Sequence, residues 1–293
     1  MLVPFQPKDF ESTLQFLGRC WLDEKSRNFH PGDFAHWMSS KYRGNDLDKH
    51  FALLRRSDEI IAVVEFNFKS RSYASVVAPE ILRINGGEDI HRSAIKHLSS
   101  PNLVDVDKPI TTNLSANDEQ GINCLKDLGF SIEEDDFAVL SQPLGDTPSP
   151  ELPEGFSLRL AAEDSDAAKL AAVHNGAFGP KWSAAEYLKV MHAQAFQPAS
   201  ELVVVSPDGD FASFVVIWCD PTSKSGLFEP VGCHKNYQRK GLTRALVYEG
   251  LARMKSAGMT SAFVGHESSN ESATSFYKSL GFVPSFKTVL CTS

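Results

Sequence analysis

Short apolar runs alternate with amphipathic stretches along the whole chain, and runs such as Ile60–Val64 are typical of their length. None approaches the ~20 apolar residues that span a bilayer, so no membrane partner is expected. Alternation and short buried runs predict strands near His50–Arg55, Glu59–Phe68, Ser72–Val77 and Pro109–Leu114. A helix is expected near Ile90–Leu98, and a second helix closes this half of the chain. Further on, strands are predicted at Phe156–Leu160, Glu201–Val205, Phe211–Trp218, Gly226–His234 and Thr260–Gly265. Helices are predicted at Ser165–Phe178, Ser183–Phe196, Leu242–Ser256 and Glu271–Leu280, with a last strand around Phe286–Leu290. In Leu242–Ser256, Val247, Leu251 and Met254 share a face at i, i+4, i+7, and Gly258 follows as a C′ residue. Hairpin-sized gaps early and helical crossovers late point to an α/β or α+β fold around a central mixed sheet.

The segment Ser141–Gly155 interrupts this pattern with four prolines and two glycines, a density that neither helix nor sheet accepts. It is expected to be a linker between a domain at 1–145 and a domain at 154–293, a division that suits 293 residues. The two halves also end alike. Asn123–Phe130 reads NCLKDLGF and Ser275–Phe282 reads SFYKSLGF, an offset of 152. Each is preceded by a polar Asn-containing turn, Ala116–Glu119 and Ser268–Glu271, and followed by a strand-like run. That shared order points to a duplicated unit.

Charge separates the halves. Residues 1–150 carry 16 basic and 23 acidic side chains, whereas residues 151–293 carry 13 and 14. The second half is therefore the better home for an anionic ligand. The whole chain, at net −8 and pI near 5.6, lacks the basic face of a nucleic-acid binder. Five scattered cysteines without a CxxC pair argue against a disulfide scaffold or zinc ribbon. With no signal-like start at Met1–Asp9, a cytoplasmic protein is expected.

One segment concentrates chemistry. Glu229–Leu246 reads EPVGCHKNYQRKGLTRAL, in which a strand runs into a basic loop and then into a helix. Lys235, Arg239, Lys240 and Arg244 cluster beside Gly241, where the helix offers unpaired N–H groups and its positive end. Together these make a cradle for a pyrophosphate. The segment matches neither a Walker A nor a GxGxxG pattern, and a solvated charged turn would share its composition.

Gln238-Arg239-Lys240-Gly241-Leu242-Thr243 resembles the Q/R-x-x-G-x-G/A acyl-CoA-binding motif of the GCN5-related N-acetyltransferase (GNAT) superfamily. Asn270…Ala273…Phe276-Tyr277…Leu280-Gly281-Phe282 resembles that superfamily's closing signature, at a fitting distance. The likeness covers about residues 156–292. It implies two GNAT-like domains in tandem, each a mostly antiparallel twisted sheet flanked by helices. It further implies acetyl-CoA (coenzyme A) as acyl donor, with no metal. By the same resemblance Val231, Gly232 and Cys233 flank the pantetheine arm, and Gln238, Arg239, Lys240, Gly241, Leu242, Thr243 and Arg244 form the pyrophosphate loop. Thr243 stands where the family has Gly or Ala, and its hydroxyl is one further donor for phosphate. Asn270 matches a polar pantetheine contact, and Tyr277 matches the tyrosine that protonates the departing thiolate.

An amine of pKa ~10.4 attacks only after losing a proton, so a base is required. Glu229 is the first choice, because alternation is expected to place it on the same strand face as Val231 and Cys233. His234 and His266 are alternatives acting through water. Tyr277 shares an apolar helix face with Ala273, Phe276 and Leu280, so a packed core tyrosine is the competing reading. Cys233 reads as a small buried thiol and not a nucleophile, and His30 and His36 as surface or capping residues.

The first half has no basic glycine loop. Arg83–Gly87 is followed by Glu88 and Asp89, which occupy the helix start and repel an anion, and Leu125 stands at the position equivalent to Tyr277. This half is expected to have lost acyl-CoA binding and to buttress the acceptor site. The leading function is acetyl transfer from acetyl-CoA to the primary amine of a small molecule or peptide. A non-catalytic acyl-CoA sensor and a tandem transferase using another acyl carrier, such as aminoacyl-tRNA, are the alternatives. The acidic charge disfavours a tRNA partner. The acceptor pocket is sought in His174–Trp182 and Asp33–Trp37.

Overall fold

A computed structural model describes residues 2–43, 45–83, 87–99, 107–193 and 200–293. The first half runs β1 (Val3–Pro4), α1 (Phe10–Trp21), α2 (Pro31–His36), α3 (Leu47–His50), β2 (Phe51–Arg56), β3 (Glu59–Asn67) and β4 (Ser72–Val77). It continues with α4 (Pro79–Leu82), α5 (Glu88–Leu98), β5 (Thr111–Ser115), α6 (Glu119–Asp127) and β6 (Ser131–Pro143). The second half runs β7 (Ser157–Leu160), α7 (Ala167–Phe178), α8 (Ala184–Met191), β8 (Ser200–Val205), β9 (Phe211–Asp220) and β10 (Ser225–Cys233). It ends with α9 (Leu242–Ser256), β11 (Ser261–Glu267), α10 (Glu271–Lys278) and β12 (Val283–Thr292). The helix predicted at Ser183–Phe196 ends in the structure at Met191, and residues 194–196 lie outside the described residues.

Among the described residues the two halves share one 12-stranded sheet, in the order β1-β2-β3-β4-β5-β12-β6-β11-β10-β9-β8-β7. Pairing is antiparallel except between β4 and β5 and between β10 and β11. The last strand of each half has crossed into the other. β6 pairs with β11 from Ser261↔Pro143 to Glu267↔Phe137, and β12 pairs with β5 from Thr288↔Ser115 to Thr292↔Thr111. β6 and β12 then pair with each other at the centre.

Equivalent ends fold alike. Asp118 and Asn270, 152 residues apart, cap α6 and α10, each accepting a side-chain bond from an N3 amide at 3.0 Å (Gly121 and Ala273). Gly129 (φ 89°) and Gly281 (φ 96°) turn the chain in the left-handed region, and β6 and β12 follow at Ser131 and Val283.

The core ignores the linker. Phe16, Leu17, Cys20 and Trp21 of α1 pack in one cluster with Val216, Trp218, Leu227, Phe263 and Phe286 of the second half. Trp21 meets Phe263 and Phe286 edge-on at 5.1 and 5.6 Å, and the Arg27 guanidinium covers all three rings at 5.4–5.9 Å. A second cluster gathers α9, α10 and the inner strands around Phe228, Leu246 and Phe282. Residues 154–293 produced alone would therefore lack β6 and the α1 face. They are expected to melt without a cooperative transition, and co-expression with residues 1–145 should restore one. Near-UV circular dichroism during heating measures both.

Candidate active site

β10 and β11 run side by side only as far as Phe228↔Val264. Beyond that point β10 stays with β9, through Val231↔Val215 to Cys233↔Ser213, while β11 stays with β6 through Gly265–Glu267. The two strands therefore open a wedge in the sheet. A bulge starts it: Phe228 faces Ile217 and Val231 faces Val215, so one extra residue is inserted on β10 around the cis Glu229-Pro230 peptide.

The bulge overturns the expectation for Glu229. Ile217 and Val215 share a β9 face, so Val231 and Cys233 lie with Phe228 on the side of α9. Glu229 falls instead with Leu227, on the side covered by α2 and α7. The wedge leads into a cavity of about 920 Å³ between the halves. Glu229, Tyr277, His266 and Asn270 line it from the second half, and Asp33, Trp37, Lys41 and Glu65 from the first.

α2 is aimed at this point by a capping box. His30 Nδ1 accepts from Gly32 N–H at 2.9 Å, and Asp33 Oδ2 accepts from His30 N–H at 2.8 Å. Gly32 lies so close to Trp218 that a Cβ there would come within 2.6 Å, and the Trp218 indole donates to the Glu229 carbonyl at 2.6 Å. One turn along α2, His36 Nε2 stands 3.9 Å from Glu229 Oε1. Burial first, then the neighbouring Asp33 carboxyl, push the Glu229 carboxyl up to about 8, while Lys181 pulls it down. Burial raises Asp33 to about 7, against the hydrogen bond from His30. Burial lowers His36 to about 3, helped by His174, Lys181 and Lys41, so its imidazole is neutral at pH 7.

Tyr277 is 6% exposed, and its ring stacks on His266 at 5.8 Å. Burial and then Glu229 raise its phenol well above the usual range. It is thus a core side chain that also lines the cavity. The His266 Nε2 is buried with no partner among the described residues. His234 caps the turn Lys235–Tyr237 and lines neither this cavity nor its neighbour. His30 is a capping residue, as expected, but a fully buried one whose Nε2 meets Ser225 Oγ at 2.9 Å. Burial raises the Cys233 thiol, which touches the carbonyls of Ala212 and His234 at 3.6 and 3.7 Å.

The basic loop lies beyond the wedge. Arg239 (φ 62°) and Gly241 (φ 78°) take left-handed backbone, and Gly241 caps α9 without a side chain. Among the described residues the N–H groups of Gln238 to Arg244 donate to no carbonyl, so the helix start faces outward unsatisfied. Leu242 anchors the loop in the core. Lys240 lies over Phe156 and Tyr237, and Arg244 donates to Ser279 Oγ at 3.0 Å. Thr243 corrects an expectation. Its hydroxyl is 3.0 Å from Ser213 Oγ, whose own proton goes to Gly232 O at 2.8 Å, so the Thr243 proton is already committed inward.

The first half closes the corresponding wedge. Where β4 and β5 part beyond Ala74↔Asn113, the Asn28 amide bridges the carbonyls of Ser75 (3.0 Å) and Asn113 (2.9 Å). Ser115 donates to Glu24 O at 2.8 Å, and about 10 Å³ remains there. Glu88 opens α5 and pairs with Arg92, and Leu125 is fully buried. Of Arg83–Gly87, residues 84–86 lie outside the described residues. Among the described residues there is no group of His, Cys, Asp or Glu side chains suited to a metal, and no helix long and apolar enough to cross a membrane.

The second half thus couples a split sheet to an uncapped, glycine-started helix. Residues 167–282 match the family model described as Acetyltransferase (GNAT) family. A mycothiol acetyltransferase of Streptomyces coelicolor is 29% identical over 163 residues, 53% of this chain and 52% of that protein. The match thus spans about half of the relative's length. A GCN5-related N-acetyltransferase from Sphaerobacter thermophilus superposes with a TM-score of 0.66 at 18% identity, covering 100% of this chain and 95% of its own. A tandem GNAT protein from the clavulanic acid biosynthesis pathway gives 0.65 at 14%, covering 100% and 98%. The fold is shared along the whole chain.

The raised Glu229 carboxyl has a stability consequence. Against an unperturbed value of 4.5, the folded protein keeps this proton up to about pH 8. The folded state then binds more protons than the unfolded one between those values, so stability falls as pH rises through that window. Glu229→Gln should melt like wild type near pH 5 and above it by pH 8.5, in parallel thermal melts at matched ionic strength.

Proposed function

We propose that the protein transfers an acetyl group from acetyl-CoA directly to a primary amine, at one site per chain in the second half. The observation that carries this reading is the wedge between β10 and β11. It opens on a cavity holding Glu229 and Tyr277, and the strand at its edge, β10, runs on into the loop that leads to the unsatisfied helix start at Gly241. The pyrophosphate of the donor would be met by the N–H groups of Gln238–Arg244 and by Lys240, with Val231, Gly232 and Cys233 beside its pantetheine arm. Asn270, whose Oδ1 is held by the α10 cap, keeps its amide N–H groups for the same arm. The acetyl name of the Streptomyces relative agrees with a short acyl group.

Glu229 lies on the acceptor side of the sheet, and the ionised fraction of its carboxyl, which grows as pH rises toward about 8, is the form that accepts a proton from an ammonium. The freed amine attacks the thioester carbonyl, forming the C–N bond. The tetrahedral intermediate then collapses with loss of the C–S bond. Tyr277, across the cavity, supplies the proton that lets coenzyme A leave as a thiol. The filled wedge around Asn28 and the acidic start of α5 support a first half that binds no acyl-CoA.

Acetyl-CoA with a panel of amines, followed by thiol release, tests the reading, and absence of turnover with every amine overturns it. Tyr277→Phe keeps the ring packing and removes the proton. It should lower kcat by about 10²–10⁴-fold with the KM for acetyl-CoA little changed. A Phe variant that melts lower yet turns over normally would return Tyr277 to the core alone. Gly241→Asp places a carboxylate at an open position whose left-handed backbone Asp tolerates. Calorimetry should find one acetyl-CoA site in wild type and none in this variant, whose melting temperature stays near wild type.

A further inference from the structure

Glu229 and Pro230 separate the large cavity from a second one of about 260 Å³, which transfer to an arbitrary amine does not require. Phe178, Trp182 and Tyr187 give the smaller chamber its rings, with His36 and His174 beside them. Several of its polar atoms are spoken for, while His36 Nδ1 is buried with no partner among the described residues. The Tyr187 hydroxyl donates to Glu201 Oε1 at 2.5 Å and meets His174 Nε2 at 3.0 Å, while the His174 ring stacks on Phe214 at 3.7 Å. Lys41 is bonded to Glu65 at 2.7 Å. Lys181 differs. It lines the chamber, its ammonium 5.4 Å from the Trp182 ring centroid, and it has no carboxylate partner among the described residues.

The loop that presents Lys181 is held from both sides. Asn175 Oδ1 accepts from the N–H groups of Lys181 (2.8 Å) and Trp182 (2.9 Å), and its Nδ2 donates to Trp182 O at 2.7 Å. From the first half, the Arg43 guanidinium covers the Trp182 ring at 4.9 Å and pairs with Glu186. The charges around the reacting position are thereby sorted. Asp33 and Glu229 face the large cavity, and on the far side of Glu229 stand an apolar chamber and, among the described residues, one cation without a carboxylate partner. The Lys181 charge reaches Glu229, whose carboxyl it draws down.

We infer that the acceptor is an amino acid with an apolar or aromatic side chain, its amine at Glu229, its carboxylate on Lys181 and its side chain in the chamber of Phe178, Trp182 and Tyr187. This rests on the acyl-transfer reading above and leaves its chemistry unchanged: the C–N bond forms, the C–S bond breaks, and the amine proton goes to Glu229. The products are an N-acetylamino acid and free coenzyme A. Lys181 is solvent-exposed at the mouth of the chamber, and a contact from its ammonium to a carboxylate there is worth up to several-fold in affinity.

Thiol release with L-phenylalanine and L-leucine, against phenethylamine and phenylalaninamide, tests the inference in wild type and Lys181→Met. The acids should show a KM several-fold below their carboxylate-free counterparts, and in Lys181→Met that ratio should collapse toward one. Phenethylamine used as well as L-phenylalanine, or a preference that survives Lys181→Met, overturns the amino-acid assignment while leaving acyl transfer standing. If no amine is acetylated, the transfer reading fails, and calorimetry with L-phenylalanine judges the chamber separately. Binding that Lys181→Met weakens several-fold supports it, and absence of binding overturns it.

Discussion

The antiparallel contact between β6 and β12 is the one on which both halves depend. Without it β12 and β6 would each end in a row of unpaired backbone groups, and the two half-sheets would not be joined. The exchange also shapes the site. β6 holds β11 through Gly265–Glu267, which leaves β10 free to part from it after Phe228. The same strand brings Phe137 and Val139 to the cavity wall, so a strand encoded in the first half helps to frame chemistry carried by the second.

A duplicated unit has thus been used in two opposite ways. In one copy the strands part around a bulge, and the opening holds a carboxyl whose proton affinity is raised by burial and by Asp33. In the other the opening is filled by Asn28, whose amide satisfies both strands at once. The filled copy then supplies α2, which packs on β10 and places His36 beside Glu229. Filling of one wedge and construction of the other's wall are therefore carried by the same half.

Much of this was legible in the chain itself. Helix α9 begins and ends where Gly241 and Gly258 say it should, and the two Leu-Gly-Phe endings mark α6–β6 and α10–β12 as equivalent. The basic loop likewise stands at a helix start that nothing caps. Helix α1 was not predicted, although Phe10, Phe16, Leu17, Cys20 and Trp21 give it a buried stripe. No side chain caps its start, and its partners Phe263 and Phe286 lie more than two hundred residues away. The face of Glu229 was missed for another reason. Strict alternation holds only while two strands advance in step, and an inserted residue leaves no mark in a pattern of apolar and polar positions. The exchange was equally silent, because β6 and β12 carry the same local preferences whichever partner they find. Asp33 and His36 had a readable signal, a capping box at His30 followed by two polar residues one turn apart on a short helix.

The position of β12 also sets the order in which the molecule can be built. A ribosome releases the first half long before the second, yet Leu114 finds its partner only in Val289. Until Thr292 has been added, the slot between β5 and β6 stays vacant, and α1 has no aromatic floor from Phe263 and Phe286. Closure by so distant a strand is slow compared with local pairing. Until β12 emerges the nascent chain therefore carries an open sheet, the kind of surface that chaperones shield. Maturation is gated by β12, which acts as the keystone of a half made first and finished later.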